Sequence, residues 1–418
     1  MKLPKRSTIV EGIKSINVEP VVFLMIVGDG LLGLPEYNLM LKKTCLSGSS
    51  LFGQTKYPPN ICSNLSDYPD QQAEVQKIVS KFNSVSDVVA SIMIMLVTIF
   101  FGSWCDQGGK KGLIILSCLG RFASVASLLI NFVCKDLVVE YFWLEFPNYL
   151  CGDNSSLLLG AYAIVADRSS PNTRTLRILV LNGIQRIGSA LGNLVAGYIL
   201  EYGTFLASLG VYVVLLIGAL LYSVFVLQSG QQQAKKSSLR DVYSLKYFQS
   251  LFSFIVRRRD NGMRHIILLL IFTACLSDFS WGCFTVDYLY ITRKFSWPEI
   301  SDNPTYPVTW YSQLKTIIDI PQILAVFFII PFLTNILHIH DLILAALAHL
   351  CFIAGVLNFA FAANRNLLYL NAVLWIFAPN QTPAIRAILS KIVDPDEVGK
   401  VDHSMEDRRC DHTGVRSQ

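Results

Sequence analysis

Charged residues are scarce in this sequence. Only 16% of its 418 residues are Asp, Glu, Lys or Arg, whereas a typical soluble domain carries about 25%. Histidine is also rare, with six residues in the whole chain, and these six do not form the histidine clusters that membrane di-iron enzymes need. These shortages, together with an apolar fraction of 52%, exclude a disordered chain and an ordinary soluble enzyme.

The sequence also lacks the residue spacings of several catalytic and nucleotide-binding sites. It contains no convincing nucleophile triad, P-loop or zinc-ligand spacing. The match of Gly28, Gly30 and Gly33 to the dinucleotide fingerprint has no preceding strand, so small residues that let helices pack closely explain it better. Ten cysteines are too few for a disulfide scaffold, and a net charge of +5 does not indicate nucleic-acid binding. We expect no enzymatic activity, cofactor, metal or nucleic-acid partner.

Long apolar runs dominate the remaining sequence. The mean hydropathy is +0.46, and a helix that crosses a bilayer needs about 20 apolar residues. The sequence therefore predicts an all-α integral membrane protein. We predict ten spans, at about Pro20–Leu34 or beyond, Ser80–Phe101, Gly112–Cys134, Tyr141–Val165, Leu176–Leu200, Phe205–Leu227, His265–Ile291, Trp310–Leu337, Leu342–Ala362 and Leu367–Ile392.

The distribution of basic residues predicts the orientation of these spans. The loops after the second, fourth and sixth spans are rich in Lys and Arg, as in Lys110 and Lys111 after the second and Arg168 and Arg174 after the fourth. The loops after the third, fifth and ninth spans are poorer, with Lys135, none and Arg365 respectively. By the positive-inside rule, both termini are cytoplasmic.

The long basic segment after the sixth span divides the chain into two groups of helices. Residues 239–256 within it fit either an amphipathic helix at the membrane interface or a solvated basic linker. The predicted divisions are a cytoplasmic N-terminus at 1–17, a six-helix bundle at 18–228, a cytoplasmic linker at 229–264, a partial four-helix bundle at 265–393 and a polar cytoplasmic tail at 394–418.

The loop between the first two spans is predicted to lie outside the cytoplasm. It contains Cys45, Cys62 and the sequon that begins at Asn64, and its position fits N-glycosylation of Asn64. Two further sequons, at Asn154 and Asn380, fall within or at the ends of apolar runs, where we do not expect a glycan.

The turn between the second and third spans carries the most specific local motif. The stretch reads Gly102-Ser103-Trp104-Cys105-Asp106-Gln107-Gly108-Gly109-Lys110-Lys111. It resembles the G-x-x-x-D-R-x-G-R-R/K motif of the major facilitator superfamily, with Gln107 in place of the basic residue after the acid. The alternative is an ordinary charged turn.

Charged residues inside the spans are candidate functional residues, because a charge is costly in the bilayer. We favour a functional role for Asp278 and Arg386 and structural pairing for Asp287. An acid that faces a cavity can carry a proton, and an arginine can bind an anion through two hydrogen bonds. The charged residues singled out as candidates are Asp29, Arg121, Asp153, Arg186, Asp278, Asp287, Asp319 and Arg386.

Several further segments together match the pattern of one transporter family. They are Val18-Glu19-Pro20, Cys62-Ser63-Asn64, Glu74-Val75-Gln76-Lys77, Lys81-Phe82-Asn83, Gly152-Asp153, Ala166-Asp167, Thr382-Pro383-Ala384-Ile385-Arg386-Ala387 and Leu389-Ser390-Lys391. These segments resemble solute carrier family 46, the group that contains the proton-coupled folate transporter and the haem carrier, and the resemblance covers roughly residues 15–400.

The resemblance implies a major facilitator fold of two six-helix bundles that opens alternately to the two sides of the membrane, often driven by protons. It implies that Asp106 is a gating acid, Asp153 a helix-four acid and Arg386 a basic residue of the central cavity. The family's helix-five acid falls on Asn182, and the folate transporter's helix-seven histidine falls on Asp278.

Other positions depart from the family pattern. Asp29 is peculiar to this chain, and the helix-four arginine expected before Gly152 is absent, with Asn148 nearby. The outside cysteine that should partner Cys62 falls on Ser296, so Cys45 becomes the candidate partner of Cys62.

The resemblance ends after Val401, and the sequence predicts no eleventh or twelfth span. We expect a truncated splice form or a frame-shifted gene model. Our first functional hypothesis is a transporter of a small organic anion, with Asp29, Asp106, Asp153 and Asp278 in proton coupling or gating and Arg386 and Asn182 at the substrate. The alternative is a non-transporting membrane protein that regulates or binds partners. A membrane enzyme ranks third.

Overall fold

The computed structural model describes most of the chain. Outside the described residues lie most of the predicted N-terminal segment, the linker with its possible interfacial helix at 239–256, the polar tail, Asn64 and Arg386. The described residues are 17–63, 65, 68–169, 171–202, 204–228, 263–281, 287–295, 306–335, 337, 339–382, 384–385 and 388.

The described residues form an all-α structure with helices on both sides of the basic linker. Nine helices of 15 residues or more are labelled here in chain order. They are α1 (Glu19–Ser47), α2 (Pro69–Trp104), α3 (Lys110–Val133), α4 (Asp153–Asp167), α5 (Pro171–Tyr202), α6 (Phe205–Phe225), α7 (Met263–Trp281), α8 (Tyr306–Leu324) and α9 (Asp341–Phe361).

Shorter helical segments complete the described structure. A π-helical stretch at Cys105–Gly109 connects α2 to α3, and another at Ala325–Ile329 continues α8 into Ile330–Asn335. The remaining segments are Pro59–Ser63, Val139–Glu145, Phe146–Leu150, Asp287–Lys294, Arg365–Leu370, Asn371–Leu374 and Ala378–Asn380.

Seven helices within the described residues are long and apolar enough to cross a membrane. They correspond to the predicted first, second, third, fifth, sixth, eighth and ninth spans, which are thereby confirmed as helices. The second begins at Pro69, well before the predicted Ser80. Large apolar side chains on these helices remain exposed, such as Val214 and Leu350. That exposure suits helices whose outer faces contact lipid.

The predicted fourth and tenth spans are not continuous helices. The fourth consists of Val139–Glu145, Phe146–Leu150 and α4, with a break at Gly152. Gly152 has a φ of 78° and Asp153 a φ of 43°, and such left-handed backbone ends a regular helix. The tenth is divided into short segments between Arg365 and Asn380.

Two glycines allow α1 and α5 to pack closely. A Cβ added to Gly192 would lie 2.3 Å from the Val27 carbonyl oxygen, and one added to Gly30 would lie 3.1 Å from the Ser189 carbonyl oxygen. Close backbone approach matters in a membrane, where van der Waals packing rather than the hydrophobic effect associates helices. Gly30 therefore serves helix packing, as the sequence indicated.

The loop after α1 is tied down by a disulfide bond and backbone hydrogen bonds. Cys45 and Cys62 are joined by the disulfide, with their Cα atoms 5.7 Å apart. The Tyr57 N–H donates to the Cys45 carbonyl at 3.0 Å, and the Thr55 hydroxyl donates to the Thr44 carbonyl at 2.6 Å. The loop is thus fixed to the end of α1.

The two groups of helices contact each other mainly along α5 and α8, where side-chain hydroxyls of α8 donate to backbone carbonyls of α5. Aromatic rings add a second contact. The ring of Tyr288 lies between Tyr37 of α1, at 6.3 Å between centroids, and Tyr311 of α8, at 5.1 Å. Both groups therefore form one contiguous apolar core.

Candidate functional site

A buried arginine of α3 lies at the centre of the first group of helices. Arg121 is 2% exposed. Its Nε donates to Asp29 Oδ1 at 3.0 Å, and its Nη2 donates to Asp29 Oδ2 at 2.7 Å. This is a bidentate ion pair between α1 and α3, the strongest geometry for such a pair. Asp29, a candidate charge of the first span, therefore has a specific partner.

A second carboxylate shares the same guanidinium. Asp153, the first residue of α4, places its Oδ1 at 3.6 Å from Arg121 Nη2. The Asn148 amide donates to that oxygen at 3.0 Å. Ser117 links the group further, because its hydroxyl accepts from Arg121 Nη1 at 2.7 Å and donates to the Asp153 carbonyl at 2.8 Å. We call Asp29, Arg121 and Asp153 the carboxylate–arginine triad.

The break in the fourth span positions the triad. Pro147 is the second residue of the short helix before the break, and the left-handed backbone at Gly152 turns the chain so that α4 starts at Asp153. Gly120, which precedes Arg121, permits close approach, since a Cβ there would lie 2.6 Å from Cys151 Cβ. The local sequence thus places a carboxylate beside the arginine of a neighbouring helix.

Additional carboxylates surround the triad. Glu145 accepts a hydrogen bond from the Ser124 hydroxyl at 2.8 Å and interacts electrostatically with Asp153 and Arg121. Glu36 of α1 interacts with Glu145 and Asp153. Neither glutamate was among the candidate charges predicted from the sequence: Glu36 lies just past Leu34 in the first apolar run, and Glu145 lies in the predicted fourth span. If Asp29 and Asp153 are both ionised, the triad carries one net negative charge, because Arg121 neutralises only one of the two carboxylates.

Asn182 lies in a separate neutral network between α4 and α5. The Tyr162 hydroxyl donates to Asn182 Oδ1. The Gln185 amide donates to the Tyr162 hydroxyl at 3.1 Å and to Asn182 Oδ1 at 3.4 Å. The structure therefore gives Asn182 polar partners but does not group it with the triad.

The motif turn connects α3 to its neighbours through its two lysines. Lys110 forms an ion pair with Asp167 at the end of α4, and Lys111 Nζ donates to the Val224 carbonyl of α6 at 2.8 Å. Gly109 lies against the indole of Trp104, where a Cβ would be 2.4 Å from the ring.

Three of the residues predicted to act in coupling, gating or substrate binding have side chains outside the described part of the chain: Asp106, Asp278 and Arg386. Gly102 lies in the last turn of α2, and Asp106 lies in the π-helical stretch that follows, but the Asp106 side chain is outside the described part of the chain. The same holds for the Asp278 side chain in α7 and for the whole of Arg386.

Asp287, for which sequence analysis favoured structural pairing, is paired within the second group. Lys315 of α8 forms an ion pair with its carboxylate, and the Tyr311 hydroxyl donates to it. This buried pair joins the Asp287–Lys294 segment to α8.

Comparison with known proteins assigns the class. Residues 80–401 match the model of the Major Facilitator Superfamily, which covers more than half of the chain. The chain therefore belongs to this superfamily of membrane transporters, whose members are not enzymes.

Within the superfamily, the chain is related to solute carrier family 46. The proton-coupled folate transporter of Bos taurus is 25% identical over 411 residues, which cover 95% of this chain and 82% of that protein. The lysosomal proton-coupled steroid conjugate and bile acid symporter SLC46A3 of Gallus gallus is 24% identical, covering 93% and 83%. The probable peptidoglycan muropeptide transporter SLC46 of Drosophila melanogaster is 22% identical, covering 92% and 75%. The chain is thus a multi-pass membrane transporter related to solute carrier family 46.

Proposed function

We propose that this transporter moves a small organic anion across the membrane by alternating access, together with protons. The observation that carries the proposal is the carboxylate–arginine triad, in which one buried guanidinium is shared by carboxylates from two other helices. Relatives named as carriers of folate, steroid conjugates and bile acids support the substrate class.

Proton coupling requires a group whose protonation differs between the two conformations. A carboxylate inside the membrane can serve this role because its charge is costly there unless it is paired. The contact of Asp153 with Arg121 is longer than that of Asp29. Protonation of Asp153 would therefore weaken the ion pair that joins α3 to α4. We assign Asp29, Asp153 and Asp278 to proton coupling and Asp106 to gating at the motif turn.

Substrate binding needs a cation in the cavity. We assign Arg386 to the anionic group of the solute, because a guanidinium can bind a carboxylate or sulfate through two hydrogen bonds. Asn182 and its neutral network on α5 would contact an uncharged part of the solute. We further propose that the protein resides in the plasma membrane or the lysosomal membrane, with both termini in the cytoplasm.

Uptake of tritiated folate and tritiated taurocholate in cells tests the proposal, with surface protein measured in parallel by biotinylation. Uptake should rise when the outside medium is made acidic. Asp153→Asn and Asp278→Asn should each flatten this pH dependence, whereas the control Asn380→Gln should not.

Two results would contradict the proposal. Equal acid stimulation in Asp278→Asn and the parent would remove the coupling role of Asp278. Absence of uptake by protein that reaches the surface, together with its co-purification with an intact relative, would favour the alternative of a non-transporting regulatory protein.

A further inference from the structure

The contact between the two groups of helices has a defined register. The Ser312 hydroxyl of α8 donates to the Asn193 carbonyl of α5, and the Thr316 hydroxyl donates to the Ala190 carbonyl at 3.3 Å. Moving toward the C-terminus of α8 therefore means moving toward the N-terminus of α5. The two helices run antiparallel along this contact.

The same register places two opposite charges across from each other. Asp319 is one turn beyond Thr316 on α8, and Arg186 is one turn before Ala190 on α5, so the two share the contact face. Further along, Phe327 lies against Gly183, where a Cβ would be 2.3 Å from the Phe327 ring. Arg186 and Asp319 therefore lie between two points of direct contact.

Electrostatics agree with this placement. The Asp319 side chain is buried, at 9% exposure. The positive charge with the largest effect on its carboxylate is Arg186, followed by Lys315 of its own helix. Lys315 is also ion-paired with Asp287, so its charge acts on two carboxylates. The principal counter-charge of Asp319 thus comes from the opposite group of helices.

We propose that Arg186 is the residue of the first helix group that binds the anionic group of the transported solute, and that Asp319 is its resident counter-ion, which the solute displaces. This inference rests on the proposed function as a transporter of organic anions. Arg186 is half-buried and presents a guanidinium at the junction of the two halves. An unoccupied arginine there would be costly in the membrane, and Asp319 offsets that cost when no solute is bound.

Displacement means that solute and Asp319 compete for one cation. An ionised Asp319 opposes anion binding, whereas a neutral one does not, so acidic conditions favour binding. The charged groups that act on the Asp319 carboxylate are Arg186 from α5 and Lys315 from α8. Lys315 is also ion-paired with Asp287, whose carboxylate accepts a hydrogen bond from the Tyr311 hydroxyl.

Binding of two probes to the purified full chain in lipid nanodiscs tests the assignment. Tritiated folate and tritiated taurocholate are measured by scintillation proximity at neutral and acidic pH. Arg186→Gln should weaken binding of the recognised probe by about tenfold or more, as expected for loss of a charged hydrogen-bond partner. Arg186→Lys should restore part of that affinity.

The counter-ion variant distinguishes this role from a structural one. Asp319→Asn should bind the probe more tightly than the parent at neutral pH and lose the enhancement by acid. Thr316→Val, a matched change on the same face without a change of charge, should bind like the parent. Thermal unfolding of each variant checks that it is folded.

Several outcomes would overturn the inference. One is that Arg186→Gln binds with the parent's affinity. Another is that both single variants lose binding and stability together and the double variant Arg186→Gln/Asp319→Asn regains both, which indicates a purely structural pair. A third is that neither probe binds the parent or Asp319→Asn.

Uptake in cells distinguishes failure of the Arg186 assignment from failure of the proposed transport function. Acid-stimulated uptake with an unchanged KM in Arg186→Gln contradicts only the role of Arg186. Lack of uptake by the parent and every variant at the cell surface contradicts the transport proposal itself.

Discussion

Arg121 of α3 holds Asp29 of α1 through two hydrogen bonds that run in parallel from its Nε and Nη2 atoms, at 3.0 and 2.7 Å. The same guanidinium reaches Asp153 at the start of α4, at 3.6 Å. Three helices of the first group are therefore joined at one side chain, and loss of that side chain affects all three.

We expect Arg121→Gln to destabilise the protein strongly. Removal of one partner from a buried ion pair leaves an uncompensated charge and costs about 3 kcal/mol or more. Thermal unfolding of the detergent-purified protein measures the change. Asp153→Asn should cost less, because its contact with Arg121 is longer. Equal melting temperatures for the parent and Arg121→Gln would rule out a stabilising role for the triad.

Substitution of Gly192 tests the packing of α1 against α5. Gly192→Ala places a Cβ at 2.3 Å from the Val27 carbonyl oxygen, and overpacking of this kind costs about 1–3 kcal/mol. Gly210→Ala is the matched control, because nothing lies within 4 Å of a Cβ at that position. We expect the first variant to lower the melting temperature and the second to leave it unchanged. Similar melting temperatures would show that the helices are farther apart than described.

The Cys45–Cys62 bond should be detectable and stabilising. Peptide mapping under non-reducing conditions should recover the two cysteines in one linked pair. The bond closes a loop with a sequence separation of 17, for which loop-closure entropy suggests about 3 kcal/mol. Cys45→Ser and Cys62→Ser should each lower stability, and the double variant should cost little more than either one. Recovery of both cysteines as free thiols would contradict this pairing.

Glycosylation of Asn64 would fix the side of the membrane on which this loop lies. We expect Asn64→Gln to abolish the mobility shift that a peptide N-glycosidase produces in the parent. Asn380→Gln is the control, since Asn380 is buried at 4% exposure and should carry no glycan. A parent protein without any shift would remove the support for an outside location of the loop.

The sequence predicted the apolar helices better than it predicted their interactions. Seven spans were recognised because a run of about 20 apolar residues is sufficient to identify each one. The break at Gly152 was not predicted, since hydropathy is the same for a continuous helix and for two shorter ones. A left-handed glycine is visible only in the backbone.

In the candidate site too, the sequence predicted individual residues better than their interactions. Asp29, Arg121 and Asp153 stood out individually as charges inside apolar runs. Their partnership depends on which helices pack together, and no pattern along one helix contains that information. Asn182 was grouped with the substrate site by resemblance, but its hydrogen bonds are to Tyr162 and Gln185.

The break before α4 has an electrostatic consequence for the triad. Asp153 lies at the middle of the predicted fourth span, so α4 begins partway along that span rather than at its end. The aligned peptide dipoles of a helix place roughly half a positive elementary charge at its N-terminus. Asp153 therefore faces this partial charge as well as Arg121, and the two carboxylates share about one and a half positive charges instead of one. A single left-handed glycine thus supplies part of the counter-charge that a second basic side chain would otherwise have to provide.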